Sequence, residues 1–199
     1  MKILSGPTVE MVTSTPYPQD VIESAARICY NSPAQTNPDR QYRFIKNLIK
    51  RGHESVIEHA SATFEITCSR VCAQQITRHR IASYSMRSQR YVTESGPTFV
   101  IPPGLDDHSI AIMEISFLDS TWRYKTLITN GIKPENARFV LPNATATILY
   151  VTMNFRSLRN FIKLRMHKSA QWEIRSVAQQ MLNVLEKLAP AVFSDLQEE

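Results

Sequence analysis

Strict alternation of apolar and polar residues over residues 60–68 is the feature that most constrains the fold of this chain. The even-numbered residues are alanine, phenylalanine, isoleucine or cysteine, and the odd-numbered residues are serine, threonine or glutamate. A period of two is typical of a strand with one buried face and one open face. The chain must therefore build a sheet that other elements cover on one side.

Helical patterns supply the elements that would cover this sheet. The clearest has Asn37 as its N-cap, Pro38 in its first turn and Gly52 at its end. Further helices are predicted over 18–30, 70–79, 109–130, 156–166 and 170–188, with a short helix from Pro134 that holds Arg138. Extended segments are predicted over 2–14, 98–101 and 144–153. The pattern predicts an α/β (α+β) fold in which several helices flank a modest central mixed or antiparallel sheet.

The composition is that of one soluble globular domain over residues 1–199, with 43% hydrophobic and 21% charged residues. Neither a membrane span nor a signal peptide is evident, so we expect a cytoplasmic protein. The three cysteines show no Cys-x-x-Cys spacing, which favours reduced thiols over a zinc site or a redox pair. The net charge of +5 favours acidic partners such as nucleic acid, nucleotides or polyanionic cofactors.

The segment 78–91 concentrates positive charge. It holds four arginines with no acid between them, Arg78, Arg80, Arg87 and Arg90. Such a cluster repels itself unless an anion sits in it, which indicates a receptor for phosphorylated ligands. Two ligand classes stay open at this point. A nucleic acid could bind along the basic surface, or one phosphorylated small molecule could bind through bidentate arginine contacts.

Two further segments offer polar groups. A second basic group comprises Arg138, Arg156, Arg159 and Arg165. Asn154, Arg156 and Asn160 fall where a strand is predicted to lead into a helix, whose free amides can bind an anion. His53 and His59 are six residues apart, whereas a zinc-binding His-Glu-x-x-His helix needs a spacing of four. We therefore expect the segment 53–59 to be a loop without a metal. Taken alone, these residues favour a solvated turn, while polar loop residues beside a rigid strand could also contact a ligand.

Several motifs together resemble the flavin-dependent thymidylate synthase family. The family signature is Arg-His-Arg, seven residues, then Ser-x-Arg, and it falls on 78–80, Ser88 and Arg90. The resemblance extends to His-Glu-Ser at 53–55 with Glu-His at 58–59, to Ala-Arg at 137–138, and to Asn-x-Arg-Ser-Leu at 154–158. It continues with Leu-Arg at 164–165 and Ala-Gln-Trp-Glu-Ile at 170–174. Similarity therefore covers roughly residues 20–190.

The resemblance implies an enzyme that reductively methylates dUMP to dTMP. The methylene would come from 5,10-methylenetetrahydrofolate and the electrons from NADPH through FAD, so no enzyme cysteine attacks the pyrimidine. The absence of an evident thiol nucleophile in this chain agrees with that route. The family is a homotetramer with active sites formed between subunits. The implied partners are dUMP and further copies of the chain, with neither nucleic acid nor membrane.

The resemblance also assigns residues. FAD would be bound by His53, Ser55, Glu58, Arg78, His79, Arg80 and Ile81, joined from a neighbouring chain by Asn154, Arg156 and Asn160. The dUMP would be bound by Gln75, Arg78, Met86, Arg87, Ser88, Gln89, Arg90, Arg138 and Arg165. Two of these residues are implied to be catalytic. Arg165 would favour the N3-ionised uracil, while Ser88 would orient dUMP without forming a covalent adduct. Folate is expected to stack on the flavin near His53.

The chain departs from the family pattern at two places. Ser85-Met86 stands where many members have Asn-Glu, and Lys168-Ser169 stands where others often have histidine or arginine. Two alternatives to this enzyme stay open. One is a relative that binds flavin and nucleotide without methylating, and the other is a nucleic-acid-binding module that uses the same basic loop.

Overall fold

The computed structural model describes residues 2–29, 31–33, 37–94 and 96–197. Its strands are β1 (Lys2–Leu4), β2 (Thr8–Ser14), β3 (Ser61–Ser69), β4 (Ser83–Met86), β5 (Thr98–Val100) and β6 (Ala146–Asn154). Its helices are α1 (Pro18–Ile28), α2 (Pro38–Lys50), α3 (Arg70–Ile76), α4 (Asp107–Thr129), α5 (Pro134–Ala137), α6 (Phe155–Met166), α7 (Trp172–Leu188) and α8 (Pro190–Phe193). Short 3-10 helices span Glu54–His59, Arg138–Val140 and Ser194–Leu196. The mixed α/β fold is as predicted.

The central sheet has four strands in the order β2-β3-β6-β4, and every neighbouring pair is antiparallel. The β3–β6 pairing is continuous from Ser61 opposite Asn154 to Ser69 opposite Ala146. The parallel component of the fold is separate, because β1 and β5 form a two-stranded sheet of their own. The predicted alternation in β3 is confirmed, since its even-numbered side chains are all buried.

Helices α6, α7 and α8 close the buried face of the sheet. Phe64 of β3, Phe161 of α6 and Val177 of α7 are fully buried in one cluster. Helix α7 contributes an apolar stripe to this core, formed by Ile174, Val177, Met181 and Leu185 at helical spacing. A smaller cluster, where Phe99 stacks on Phe117 with ring centroids 4.4 Å apart, attaches α4 to the rest of the chain. Apolar burial on this scale is the main stabilising term of the fold.

Several element boundaries follow the expected signals, and others do not. Asn37 caps α2 by accepting from the Arg40 amide at 3.1 Å, and Gly52 ends it in a left-handed conformation, as predicted. Helix α1 was predicted over 18–30 but ends at Ile28, and Cys29 is exposed beyond it. The expected loop at 53–59 is a 3-10 helix, because Ile57 is fully buried and draws the segment onto the core.

The segment 78–91 is not a continuous loop. Residues 83–86 form β4, the edge strand that pairs with β6 from Ser83 opposite Thr152 to Met86 opposite Leu149. Helix α3 ends at Ile76 and not at His79, because the backbone tightens into short-range turn bonds there. The four-residue alternation at 83–86 was too short to distinguish a strand from a loop. In the parts of the chain that the structure describes, no helix is long and apolar enough to cross a membrane.

Candidate functional site

An open cleft lies where β6 leads into α6, and we call it the α6 cleft. Its volume is about 570 Å³. Asn154 is the N-cap of α6 and accepts from the Ser157 amide at 2.8 Å. Within a single chain, the cleft brings together six of the residues assigned to FAD, including the three that were expected from a neighbouring chain. Four other residues complete its lining. The lining is Glu54, Glu58, Arg80, Ile81, Asn154, Arg156, Ser157, Arg159, Asn160 and Lys163.

Ile81 forms a strained rim of this cleft. Its φ of 63° lies in the left-handed region, and its side chain is 78% exposed. A β-branched residue is an outlier in that conformation, which costs free energy and persists only where the surroundings enforce it. Strain of this kind clusters at ligand-binding sites.

Two carboxylates fix Arg156 in the cleft. Its Nη1 group donates to Glu58 at 2.6 Å, and its Nε lies 3.6 Å from Glu54. The hydrogen bond and the charge of Glu58 raise the pKa of Arg156. Two of the predicted FAD residues therefore contact each other. Glu54, which belonged to the family motif but not to the predicted site, is the second partner.

Arg165 is held by neutral acceptors, in a group we call the Arg165 cluster. Its Nε donates to Nε2 of His79 at 2.8 Å, and its Nη2 donates to the carbonyl of Gln75 at 3.2 Å. Burial, followed by the charge of Arg165, lowers the pKa of His79 to about 4. The ring is therefore neutral at pH 7. No carboxylate among the described residues forms an ion pair with Arg165, so its positive charge is uncompensated.

Residues 86–90 with Arg138 form a second group, the arginine loop. Arg87 pairs with Glu94 at 3.0 Å, and Arg90 pairs with Glu135 at 2.9 Å. Arg138 donates to the backbone carbonyl of Glu135 at 3.1 Å. No acid lies between the arginines of 78–91 in the sequence, but Glu94 and Glu135 supply carboxylate partners for Arg87 and Arg90 from outside that segment.

Ser88 and Gln89 occupy the turn between these ion pairs. The Ser88 hydroxyl accepts from the Arg90 amide at 3.2 Å, and no described histidine or lysine contacts it. An activated serine nucleophile needs such a base. Gln89 is only 5% exposed, and its Nε2 has no partner among the described residues. The turn therefore presents a hydroxyl and an unpartnered amide as hydrogen-bonding groups.

Arg70, the first residue of α3, was not among the site residues predicted from the sequence. Its Nη1 is buried without a hydrogen-bond partner among the described residues. Burial and the nearby Arg138 lower the pKa of Arg70, while Glu94 acts in the opposite sense. A cation at a helix N-terminus interacts unfavourably with the helix dipole, and this unusual position in the predicted helix could have identified Arg70 from the sequence.

Arg159 is a structural residue, contrary to its place in the predicted second basic group. Its side chain is buried, and its two Nη groups each contact Asp195 at 2.7 Å. It also donates to the carbonyl of Val192. Although Arg159 borders the α6 cleft, its hydrogen bonds join α6 to the segment 190–197.

The remaining predicted residues lie apart from these groups. His53, Ser55 and Arg78 are exposed and do not line the α6 cleft. Among the described residues, no hydrogen bond or ion pair joins the Arg165 cluster to the arginine loop. Strand β4 connects the two groups along the chain. Its Tyr84 hydroxyl contacts the carbonyl of His79 in the Arg165 cluster, and its last residue, Met86, is the first residue of the arginine loop. Apart from Arg78, the described residues predicted to bind dUMP thus fall into two groups that no hydrogen bond or ion pair links directly. No set of three or more metal-ligating side chains occurs in the described ranges.

Comparison with curated proteins finds relatives along nearly the whole chain. A flavin-dependent thymidylate synthase of Geobacter sulfurreducens is 39% identical over 198 residues, covering 94% of this chain and 85% of the relative. One of Pyrococcus horikoshii is 40% identical over 192 residues, covering 90% and 79%. Among solved structures, the UMP/dUMP methylase PolB of Streptomyces cacaoi bound with 5-Br dUMP superposes with a TM-score of 0.89. It is 28% identical and covers 100% of this chain and 97% of its own.

A family model described as thymidylate synthase complementing protein (Thy1) matches residues 10–191. That range contains β3, β6, the α6 cleft, the Arg165 cluster and the arginine loop. Together with relatives near 40% identity, this match confirms the resemblance seen in the motifs. The chain belongs to the thymidylate synthase complementing protein family, the flavin-dependent thymidylate synthases.

Proposed function

We propose that this protein is a FAD-dependent thymidylate synthase that methylates dUMP to dTMP. The one-carbon donor would be 5,10-methylenetetrahydrofolate and the reductant NADPH. The names of the relatives and of PolB support this substrate class. The observation that carries the proposal is the uncompensated guanidinium of Arg165, held by two neutral acceptors.

Arg165 is suited to activate a uracil ring. Uracil C5 is a poor nucleophile, and a cation beside N3 or O4 stabilises negative charge there and increases electron density at C5. A carboxylate partner would cancel this effect. His79 and the carbonyl of Gln75 hold the guanidinium without neutralising it. Arg165 is therefore the proposed catalytic cation.

The arginine loop is the proposed phosphate site. Arg87, Arg90 and Arg138 supply guanidinium groups that match a phosphate in geometry and charge. The buried donors of Arg70 and Gln89, which have no partner among the described residues, indicate an acceptor supplied by a ligand. We propose Arg70 as a further contributor to this site. Ser88 would orient the nucleotide through its hydroxyl.

The α6 cleft fits FAD in size and charge. Cofactor pockets commonly measure about 300–1,000 Å³, and the cleft falls within that range. The N-terminus of helix α6 borders the cleft, and Arg80 and Lys163 add positive charge, which suits a diphosphate. Bound FAD would supply the reducing electrons. The chain's own residues bind and orient the cofactor, with folate proposed to stack near His53.

The cysteines support a route without an enzyme thiolate. Cys68 and Cys72 are buried, and their hydrogen bond together with desolvation raises the pKa of Cys72. A buried thiol with a raised pKa is a poor nucleophile. Cys29 is exposed beyond α1 and does not line the α6 cleft.

A homotetramer with shared sites would unite the two groups that one chain keeps apart. Helix α4 supports such an assembly, because four large apolar side chains at helical spacing are exposed on it. They are Ile112, Ile115, Leu118 and Trp122. An apolar stripe of this kind is typical of a subunit interface.

Tritium release from 5-labelled dUMP tests the proposal. We expect release that depends on methylenetetrahydrofolate and NADPH, from a yellow protein with an oxidised-flavin spectrum. A yellow protein that binds dUMP without release would be a non-methylating relative. Colourless protein that binds oligonucleotides with a steep salt dependence would favour the nucleic-acid alternative.

A further inference from the structure

Arginine can only donate hydrogen bonds, and this property constrains His79. Arg165 Nε lies 2.8 Å from His79 Nε2, so that ring nitrogen must offer a lone pair. The ring is 9% exposed, and its edge packs on Phe161 with centroids 4.7 Å apart. A neutral histidine with an unprotonated Nε2 carries its proton on Nδ1. The Arg165 contact therefore selects one tautomer.

Tyr84 fixes the backbone from which this ring projects. Its hydroxyl lies 2.8 Å from the carbonyl of His79 and 3.0 Å from that of Ile76. Ile76 is the last residue of α3 and His79 lies in the turn that follows it, while β4 supplies the tyrosine. The hydroxyl thus holds the end of α3 against the sheet edge. Neither the family motif nor the proposed ligand contacts assign a role to Tyr84.

Resting on the proposed function, we propose that Tyr84 and His79 are positioning residues that set the orientation of the Arg165 guanidinium. Tyr84 holds the His79 backbone, and the Nδ1–H tautomer of His79 receives Arg165 Nε. The Gln75 carbonyl receives Nη2. No described residue accepts from Nη1, which is left for the substrate. A fixed guanidinium loses less orientational entropy when the pyrimidine arrives.

Histidine-labelled protein tests the tautomer without any assay of activity. Long-range ¹H–¹⁵N spectra, with the signal assigned by its loss in His79→Gln, should show the Nδ1–H form. The signal should stay neutral down to about pH 4, because burial and Arg165, the charged group that acts on the ring, both oppose protonation. In Arg165→Ala the preference for the Nδ1–H form should be lost. An Nε2–H form in the unaltered protein would overturn the proposal, whatever reaction the protein catalyses.

Kinetics test the positioning role. Tyr84→Phe removes only the hydroxyl and should lower kcat by roughly three- to tenfold with flavin content unchanged. Tyr150→Phe, which removes a hydroxyl bonded to Glu65 on the exposed face of β6, is the matched control and should leave kcat unchanged. His79→Gln keeps an acceptor for Arg165 and should retain more turnover than His79→Leu. Equal kcat in the last two variants, or an unchanged kcat in Tyr84→Phe, would contradict the proposal.

Discussion

The Arg165 cluster and the arginine loop both present guanidinium groups, but their partners differ in charge. Arg165 is bound by a neutral imidazole and a carbonyl, whereas Arg87 and Arg90 are bound by carboxylates. A neutral acceptor orients a cation without reducing its field. A carboxylate orients it and cancels much of that field until a stronger anion arrives. The first arrangement suits charge stabilisation during reaction, and the second suits exchange of a carboxylate for a phosphate.

The sharpest test of this comparison is Arg165→Ala. Loss of a preorganised cation beside the developing charge should lower kcat by about 10²–10³. Flavin content should stay close to that of the unaltered protein, because Arg165 does not line the α6 cleft. Single-turnover rates and flavin absorbance measure the two effects separately. If turnover and flavin were lost in equal proportion, the assignment of separate roles would fail.

Arg138→Ala should affect binding more than turnover. Loss of one charge-assisted phosphate contact of about 1.5–3 kcal/mol should raise the KM for dUMP roughly 10- to 100-fold. Steady-state kinetics at saturating folate give KM and kcat, and kcat should change little. Arg43→Ala, which removes an exposed guanidinium from α2, is the control and should leave both constants unchanged. A fall confined to kcat would place Arg138 with Arg165 instead.

Ser88→Ala should leave measurable turnover. The serine lacks a base among the described residues, so the expected loss is that of one hydrogen bond, about 0.5–1.5 kcal/mol or roughly two- to twelvefold. Initial rates of tritium release measure it. Complete inactivity with dUMP binding intact would instead indicate a nucleophilic serine.

Glu135→Gln should have the smallest effect and the opposite sign. The Arg90–Glu135 pair is largely exposed, and such pairs contribute only about 0.2–1 kcal/mol. Freeing Arg90 should therefore lower the Kd for dUMP by about two- to fivefold in calorimetric titration. Asp119→Asn removes a comparable exposed partner from Arg123 and should leave the Kd unchanged. Weaker binding in Glu135→Gln would mean that the carboxylate orients Arg90 and does not compete with phosphate.

Local patterns in the sequence determined much of the fold and the location of the site residues. The alternation over 60–68, the cap at Asn37 and the stripe of α7 depend on neighbours within a few residues, so they could be read directly. The spacing of the Arg-His-Arg and Ser-x-Arg motif likewise identified the family. It did not predict β4, which is too short to recognise from its alternation and which the structure places directly before the arginine loop.

Only the tertiary structure decided which charge each arginine meets. His79 and Arg165 are 86 residues apart, Arg90 and Glu135 are 45 apart, and Arg159 and Asp195 are 36 apart. No local spacing encodes such contacts, because they arise when packing of the sheet and helices brings distant segments together. Burial then decides the outcome. The buried guanidinium of Arg159 forms an ion pair with Asp195, and burial lowers the pKa of His79 so that its ring is neutral. Arg165 therefore keeps the positive charge that the proposed chemistry uses.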